Sequence, residues 1–299
     1  MEKSLPSLGG VMPPIPTPFT REGGVAYDRM TQNLERWNEY GLSGYLVLGS
    51  NGETVYLSWE EKLRILETAR RAIPRDKALI AGTGCESTLE TITLTQRAAE
   101  IGADAALVIT PHFYGGKMAP EALVSHYFSV ADASPIPVLV YNVPKFTHLD
   151  LDAPTISRMA EHPNIVGVKD SGGNITKLGD MVRLTGSGFH VFAGSAGFFF
   201  PALVMGAAGS IMAMANIAPQ QAIDIHDLFK KGQWEEAAEL QRGMIPVNAA
   251  VTARFGVAGL KAALDMLGYY GGPVRSPLQE ISETEREALR SILADAGVL

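Results

Sequence analysis

The segment IVGVKDSGG at residues 165–173 poses the main question of this sequence. Ile165, Val166 and Val168 form a short apolar run of the kind that is buried as a strand in a parallel sheet. The run ends on Lys169, whose ammonium is costly to bury without a partner. Taken alone, the segment favours two ordinary interpretations, a surface lysine or an ion pair with Asp170. A reactive amine needs support from the rest of the chain.

Seven similar runs occur elsewhere, so that the apolar segments recur about every 30 residues. Each is nearly continuous in apolar residues, which is typical of parallel strands covered on both faces. The eight predicted strands are Val11–Ile15, Tyr45–Leu48, Ala78–Ala81, Ala105–Ile109, Pro137–Tyr141, Ile165–Lys169, His190–Ala193 and Ser210–Met214.

Helical patterns fill the intervals between these strands. Ser58 with Glu61, and Ser87 with Glu90, have the spacing of capping boxes, and the second helix is predicted to end at Gly102. Eight strands alternating with helices predict an α/β fold, a (β/α)8 TIM barrel, over residues 1–231. Residues 232–299 are predicted to form a C-terminal helical extension packed on the barrel. A doubly wound sheet is the alternative, but the even spacing favours closure.

In such a barrel the active site lies at the carboxyl ends of the strands. Lys169 ends the sixth strand and Tyr141 the fifth, while the segment GSNGE at 49–53 follows the second and TPHFY at 110–114 follows the fourth. The fold therefore brings these segments to one mouth. This convergence favours a reactive Lys169 over the two ordinary interpretations.

A lysine in a barrel mouth can form a Schiff base with a carbonyl substrate. Only the uncharged amine attacks, and an apolar flank disfavours the ammonium by desolvation. Asp170 would oppose this if it faced the amine, so its side chain is expected to point away. Tyr141 is predicted as the acid and base, with its proton passed through Ser50. The backbone N–H groups of GSNGE can bind a carboxylate, while Glu53 is expected to bond the backbone locally.

Composition excludes several classes of function. The net charge is −7 and no basic stripe occurs, which argues against nucleic acid or an anionic membrane as a partner. The single cysteine, Cys85, cannot form an internal disulfide. The six histidines lack paired metal-ligand spacing and no GxGxxG follows the first strand, so neither a metal nor a dinucleotide cofactor is predicted.

The amino terminus has no signal-peptide pattern, so the cytoplasm is the predicted location. Residues 191–223 carry no Asp, Glu, Lys or Arg and are long enough to span a bilayer. Glycine, proline and polar residues divide this stretch into lengths typical of strands and short helices. It is therefore interpreted as buried core and not as a membrane span.

Four motifs, in order and spacing, carry a resemblance that covers essentially the whole chain. GSNGE, TPHFYGG, YNVP and VGVKDSGG resemble the dihydrodipicolinate synthase/N-acetylneuraminate lyase superfamily of pyruvate-dependent class I aldolases. Within it, the segments GCEST, AGSAGF and GQWEEA, together with the tail from NAAVTARFG to SPLQE, are most similar to the 4-hydroxy-2-oxoglutarate aldolase branch.

The resemblance implies a role for several catalytic residues. Lys169 takes the position of the Schiff-base lysine, Tyr141 that of the phenol acting on the imine, and Ser50 that of the relay hydroxyl. Tyr114 matches a tyrosine that relatives insert from a neighbouring subunit. The resemblance therefore also implies a homotetramer built from dimers.

Substrate-binding residues are predicted at four positions. Asn51 corresponds to a residue near the substrate carboxylate, and Ser171 to a serine that contacts a second carboxylate. Gly49 and Ile211, at the same mouth, are predicted to complete the pocket for a keto acid.

One departure from the pattern bears on the substrate. Dihydrodipicolinate synthases carry an arginine two residues after the proline of YNVP, where this chain has Phe146. A phenyl ring cannot donate the paired hydrogen bonds of a guanidinium to a carboxylate. Lysine biosynthesis is therefore not expected, and the resemblance to the aldolase branch implies metal-free cleavage of 4-hydroxy-2-oxoglutarate to pyruvate and glyoxylate. The alternatives are an aldolase for a 2-keto-3-deoxy sugar acid or another aldehyde, a dihydrodipicolinate synthase, and a non-catalytic keto-acid-binding barrel.

Overall fold

The strands form one parallel sheet in a computed structural model that describes residues 8–299. They are β1 (Gly10–Met12), β2 (Gly44–Val47), β3 (Ala78–Gly82), β4 (Ala105–Ile109), β5 (Val138–Asn142), β6 (Ile165–Asp170), β7 (His190–Ala193) and β8 (Gly209–Ile211).

The sheet runs in the order β1-β8-β7-β6-β5-β4-β3-β2, so every strand but the first pairs with its neighbour in sequence. The remaining gap, between β1 and β2, is bridged by backbone hydrogen bonds from Ile15 N to Leu46 O (2.9 Å) and from Leu46 N to Pro13 O (3.0 Å). These bonds close the sheet into the predicted (β/α)8 barrel.

Within residues 8–299, twelve α-helices surround the strands and form the carboxyl-terminal part of the chain. They are α1 (Tyr27–Asn38), α2 (Trp59–Ala72), α3 (Thr88–Ile101), α4 (Pro120–Ala133), α5 (Pro144–Thr147), α6 (Ala153–Met159), α7 (Ile175–Leu184), α8 (Phe199–Val204), α9 (Pro219–Lys230), α10 (Trp234–Ala249), α11 (Gly256–Met266) and α12 (Glu283–Asp295).

The predicted helix boundaries are confirmed by their caps. The Ser58 hydroxyl accepts a hydrogen bond from Glu61 N, and the Ser58 N–H donates one to the Glu61 carboxylate, which completes the capping box of α2. Ser87 caps α3 through Glu90 N alone. That helix ends at Gly102, which has the left-handed φ of +102°.

The first and last strands are shorter than predicted. β1 stops at Met12 because Pro13 and Pro14 lack the N–H groups that continue a ladder. β8 stops at Ile211, and the apolar residues after it form a 3₁₀ helix at Ala213–Asn216. Apolar composition alone could not distinguish these buried turns from strand.

Apolar side chains pack in two layers. The inner layer fills the barrel, with Met12, Leu46, Ile80, Leu139, Phe192 and Ile211 among its members. The outer layer lies between the strands and the helices. The strands are thus covered on both faces, which is why their sequences lack a polar alternation.

Most of the stretch without Asp, Glu, Lys or Arg at residues 191–223 lies in this core, as predicted, whereas Val204 and Met205 at the end of α8 are exposed. It comprises most of β7, then α8 and β8, and the beginning of α9. Among residues 8–299, no helix combines the length and apolarity that crossing a membrane requires.

Candidate active site

Strands β5 and β6 set the geometry of the site. Their register makes Tyr141 the direct partner of Lys169, and Asn142 the direct partner of Asp170. Neighbours in a parallel sheet share a face, so the first pair points into the barrel mouth and the second points outward. The two strands therefore divide four polar residues into an inner pair and an outer pair.

The inner pair and Ser50 lie together, as predicted. The Lys169 amine lies 4.3 Å from the centre of the Tyr141 ring. The Tyr141 hydroxyl lies 3.4 Å from Ser50 Oγ, within hydrogen-bond reach. Lys169 and Tyr141 are only 3% and 6% exposed, so the amine is withdrawn from bulk water. The amine therefore faces the phenol and the serine hydroxyl in a buried pocket, which is the arrangement that a lysine nucleophile with a neighbouring acid and base requires.

The Asp170 carboxylate points away from the amine and is fully buried. It accepts hydrogen bonds from Asn142 Nδ2 (2.6 Å) and from the N–H of Gly172 (3.2 Å), and it pairs with Lys177 Nζ at 3.2 Å. Lys177 also pairs with Asp150. The outer network thus satisfies Asp170 on the side opposite Lys169 and holds the ends of β5 and β6 together.

Ser50 and Asn51 lie in a short 3₁₀ turn, Ser50–Gly52, directly after β2. Thr17 Oγ1 donates to Gly52 O at 2.7 Å and anchors this turn to the segment after β1. Gly49 is buried beneath it, and a Cβ at that position would lie 2.9 Å from Leu46 Cδ2. Asn51 is half-buried. The turn therefore presents Ser50 and Asn51 at the mouth, and Gly49 has a packing role there.

Ser171 follows β6, with its hydroxyl packed against Gly194 at the end of β7. A Cβ at Gly194 would lie 2.0 Å from Ser171 Oγ. The N–H of Gly194 donates to Asp170 O at 2.7 Å. The absence of a side chain at residue 194 thus makes room for the Ser171 hydroxyl at the predicted substrate side of the site.

Ile211 and Tyr114 occupy opposite environments. Ile211 is fully buried and packs in the inner layer with Tyr141, so it forms an apolar wall below the site. Tyr114 lies in the segment after β4 with 72% of its surface exposed. The ring of Phe113, itself 76% exposed, packs edge-on against it at 5.1 Å. Within its own chain, Tyr114 is thus outside the buried cluster of Lys169 and Tyr141.

The prediction that Glu53 bonds the backbone locally is wrong, and the partners of its side chain lie far away in the sequence. Glu53 does not bond the backbone locally: its Oε2 accepts from the N–H of Arg275, 222 residues later, and its Oε1 pairs with Lys261 Nζ at 2.5 Å. Asn142 and Lys177 were missed as well. The only signal for them was position, since each is polar in or beside an apolar segment that leads to the mouth.

Among the described residues, no group of three or more His, Cys, Asp or Glu side chains is arranged to hold a metal ion. The residues that converge at the mouth are instead an amine, a phenol, a serine hydroxyl and an amide, which bind and transfer protons. These groups at the carboxyl end of a closed parallel barrel place the chain among the (β/α)8 enzymes.

Comparison with known proteins narrows this class. The model of the dihydrodipicolinate synthetase family matches residues 7–296, and the chain belongs to that family. A 4-hydroxy-tetrahydrodipicolinate synthase from Symbiobacterium thermophilum is 36% identical over 99% of this chain and all of its own. The synthase from Syntrophus aciditrophicus is 33% identical over 97% of this chain and 99% of its own.

A solved structure supports the same family assignment. A dihydrodipicolinate synthase from Acinetobacter baumannii, complexed with pyruvate, superposes with a TM-score of 0.93 at 32% identity, over 98% of this chain and all of the other. The protein is therefore a lyase of the pyruvate-dependent, aldolase-type family, which confirms the predicted class of enzyme.

Proposed function

We propose that this enzyme is a Schiff-base aldolase in which Lys169 forms an imine with a 2-keto acid, without a metal ion. The observation that carries the proposal is the buried Lys169 amine, 4.3 Å from the ring of Tyr141, whose hydroxyl lies 3.4 Å from Ser50 Oγ. A lysine amine in its uncharged form attacks a carbonyl carbon, and a phenol beside it can exchange protons with the carbonyl oxygen.

The proposed reaction is cleavage of 4-hydroxy-2-oxoglutarate. The Lys169 amine attacks C2 and forms a carbinolamine. Tyr141 then gives its proton to the departing hydroxyl group, so that water leaves and an iminium forms. The C4 hydroxyl proton passes through Ser50 to the phenolate oxygen that this transfer leaves on Tyr141 as the C3–C4 bond breaks; the bonding electrons move to the iminium and form an enamine. Glyoxylate leaves. Protonation of the enamine at C3, followed by water attack on the iminium carbon, releases pyruvate and restores the amine.

Phe146 supports this substrate over aspartate semialdehyde. The residue lies in α5, just beyond β5, and is half exposed, with 50% of its surface accessible. The neighbouring cation, Lys145, donates to Thr252 O at 2.9 Å, and its Nζ is 5.5 Å from the Phe146 ring centre. Where the arginine of dihydrodipicolinate synthases is expected, this chain thus presents an apolar ring, while Asn51 and Ser171 remain as donors for a small dicarboxylate.

The second candidate is condensation of pyruvate with aspartate semialdehyde. It is favoured by the names of the relatives, since the proteins from Symbiobacterium thermophilum and Syntrophus aciditrophicus are both called 4-hydroxy-tetrahydrodipicolinate synthase. A direct comparison of substrates distinguishes the two reactions.

Imine trapping tests the chemistry. Incubation with pyruvate and borohydride should add a reduced pyruvyl group to Lys169, located by peptide mass spectrometry. Lys169→Met should abolish the label, and Lys261→Met should keep it, because Lys261 is a second buried lysine outside the mouth. A label on another lysine, or none at all, would disprove the proposed role of Lys169.

The substrate is tested with the wild type and Phe146→Arg. The wild type should have a higher kcat/KM for 4-hydroxy-2-oxoglutarate than for pyruvate with aspartate semialdehyde. Phe146→Arg should raise kcat/KM for the semialdehyde about tenfold, because a charge-assisted hydrogen bond contributes about 1.5–3 kcal/mol. Phe146→Leu is the control and should not change it. A wild type that prefers the semialdehyde would establish the second candidate.

We further propose that Tyr114 completes the site of a neighbouring subunit in a homotetramer. Its support is the exposed pair Phe113 and Tyr114, two large aromatic rings whose surfaces are 76% and 72% accessible in a single chain. Light scattering should give the mass of four chains, and Tyr114→Phe should lower kcat without changing that mass. A fully active monomer would contradict this proposal.

A further inference from the structure

The turn that carries Ser50 is attached to the carboxyl-terminal part of the chain through Glu53. Glu53 has a left-handed φ of +53°, and its N–H donates to Ser50 O at 3.1 Å. A non-glycine residue is held in this conformation only where its surroundings impose it. The orientation of Glu53 is therefore coupled to the backbone of the residue that we assign to the proton relay.

The Glu53 side chain is held from two directions. Its carboxylate is 1% exposed, pairs with Lys261 Nζ at 2.5 Å and accepts the Arg275 N–H at 2.8 Å. Lys261, also 1% exposed, donates to Pro273 O at 2.8 Å. Burial lowers the pKa of Lys261 to about 8, although the Glu53 carboxylate acts in the opposite direction. Lys261, Pro273 and Arg275 thus form a rigid frame around one carboxylate.

Arg275 extends this frame to the segment that follows the turn. Its guanidinium donates to both carboxylate oxygens of Glu61 at 2.7 Å, to Tyr56 O at 2.8 Å and to Gly23 O at 2.6 Å. The guanidinium and the Lys261 ammonium lie 4.2 and 4.3 Å from the centre of the Phe19 ring. The frame therefore spans three separate parts of the chain, all near the carboxyl end of β2.

A buried ion pair adds little net stability, because desolvating two charges offsets much of their attraction. What the pair does define is geometry, since a buried carboxylate with fixed partners has few other orientations. We propose that Lys261 and Arg275 are positioning residues that hold Ser50 in hydrogen-bond reach of Tyr141 by fixing Glu53. The inference rests on the proposed role of Ser50 in proton transfer.

The test uses Glu53→Gln in the full-length enzyme and the double variant Glu53→Gln/Lys261→Met. The amide keeps the shape of Glu53, and the double variant leaves no unpaired charge, so both are designed to fold. Each should lower kcat at least tenfold and raise KM by a smaller factor, because Asn51 lies in the same turn as Ser50 whereas Ser171 still binds the substrate. Each should still be labelled at Lys169 by pyruvate and borohydride.

Arg70→Met is the matched control. Arg70 forms another buried ion pair, with Asp104 at 3.2 Å, but Asp104 directly precedes β4 and so lies at the amino end of the barrel. This variant should lose thermal stability and keep its kcat within about twofold. Retention of wild-type kcat by either Glu53 variant would overturn the inference, even with Lys169 labelled. Failure to label Lys169 in the wild type would instead disprove the proposed function.

Discussion

At the scale of single residues, the hydroxyl of Tyr141 can be removed without removing the Lys169 amine. Its ring packs beside the Lys169 amine at 4.3 Å, whereas its oxygen faces Ser50 at 3.4 Å. Tyr141→Phe keeps the ring and removes only the acid and base. We expect kcat to fall about 10²–10⁴-fold, the usual contribution of a general acid or base.

The control for this variant is Tyr45→Phe. Tyr45 is also a buried tyrosine, but its hydroxyl donates to Asn38 Oδ1 at 2.8 Å, outside the site. The Tyr45→Phe variant should have the kcat of the wild type. Steady-state kinetics and borohydride trapping should be measured on both variants. Tyr141→Phe should still be labelled at Lys169, but more slowly than the wild type, because it keeps the amine and lacks the proton donor. Wild-type turnover by Tyr141→Phe would exclude Tyr141 as the proton carrier.

At the scale of secondary structure, the sequence predicted most of the barrel because local signals and tertiary packing agree. The apolar run at residues 105–109 and the capping box at Ser58 coincide with β4 and the start of α2. The site followed from the ends of the strands, since Lys169 and Tyr141 end neighbouring runs. Glu53 and Lys261 could not be paired in this way, because 208 positions separate them and no local pattern records that contact.

The junction of β6 and β7 gives a test at this scale. A Cβ at Gly194 would lie 2.0 Å from Ser171 Oγ and 2.8 Å from Asp170 O, so both strand ends must move to accept it. Gly194→Ala should cost about 1–3 kcal/mol of unfolding free energy, as overpacking does. It should also raise KM, because Ser171 moves. Urea denaturation and steady-state kinetics measure these two effects.

Gly186→Ala provides the comparison, since a Cβ there would meet no atom within 4 Å and the residue lies in the exposed connection before β7. Its stability and KM should equal those of the wild type. Equal behaviour of the two variants would show that Ser171 does not depend on the packing at Gly194.

At the scale of the whole molecule, the helices cover the barrel so closely that they bury polar groups as well. Gln241 and Asn248 in α10 bond Ala196 O and Ser195, which attaches the carboxyl-terminal helices to the connection after β7. A second attachment is the hydrogen bond from the Arg275 N–H to Glu53, which joins the carboxyl-terminal segment to the turn after β2. Because the two attachments lie beside the ends of β7 and β2, the carboxyl-terminal segment helps to shape the mouth and does not merely cover the barrel.

His126 makes the stability of the whole fold depend on pH. It is 6% exposed in α4, its Nδ1 lies 2.9 Å from Thr88 Oγ1, and its Nε2 has no partner among the described residues. Burial lowers its pKa to about 4 from the ordinary histidine value of 6.5. Between these values the unfolded chain binds a proton that the folded chain does not, so the unfolding free energy decreases as pH falls from 6.5 to 4, by about 3 kcal/mol from this residue.

Denaturant titrations from pH 6.5 to 4 test this contribution. The variant His126→Gln should remove this part of the decrease in unfolding free energy, whereas His148→Asn, at an exposed histidine, should not. An unchanged pH dependence in His126→Gln would mean that the imidazole is protonated in the folded state as easily as in the unfolded one.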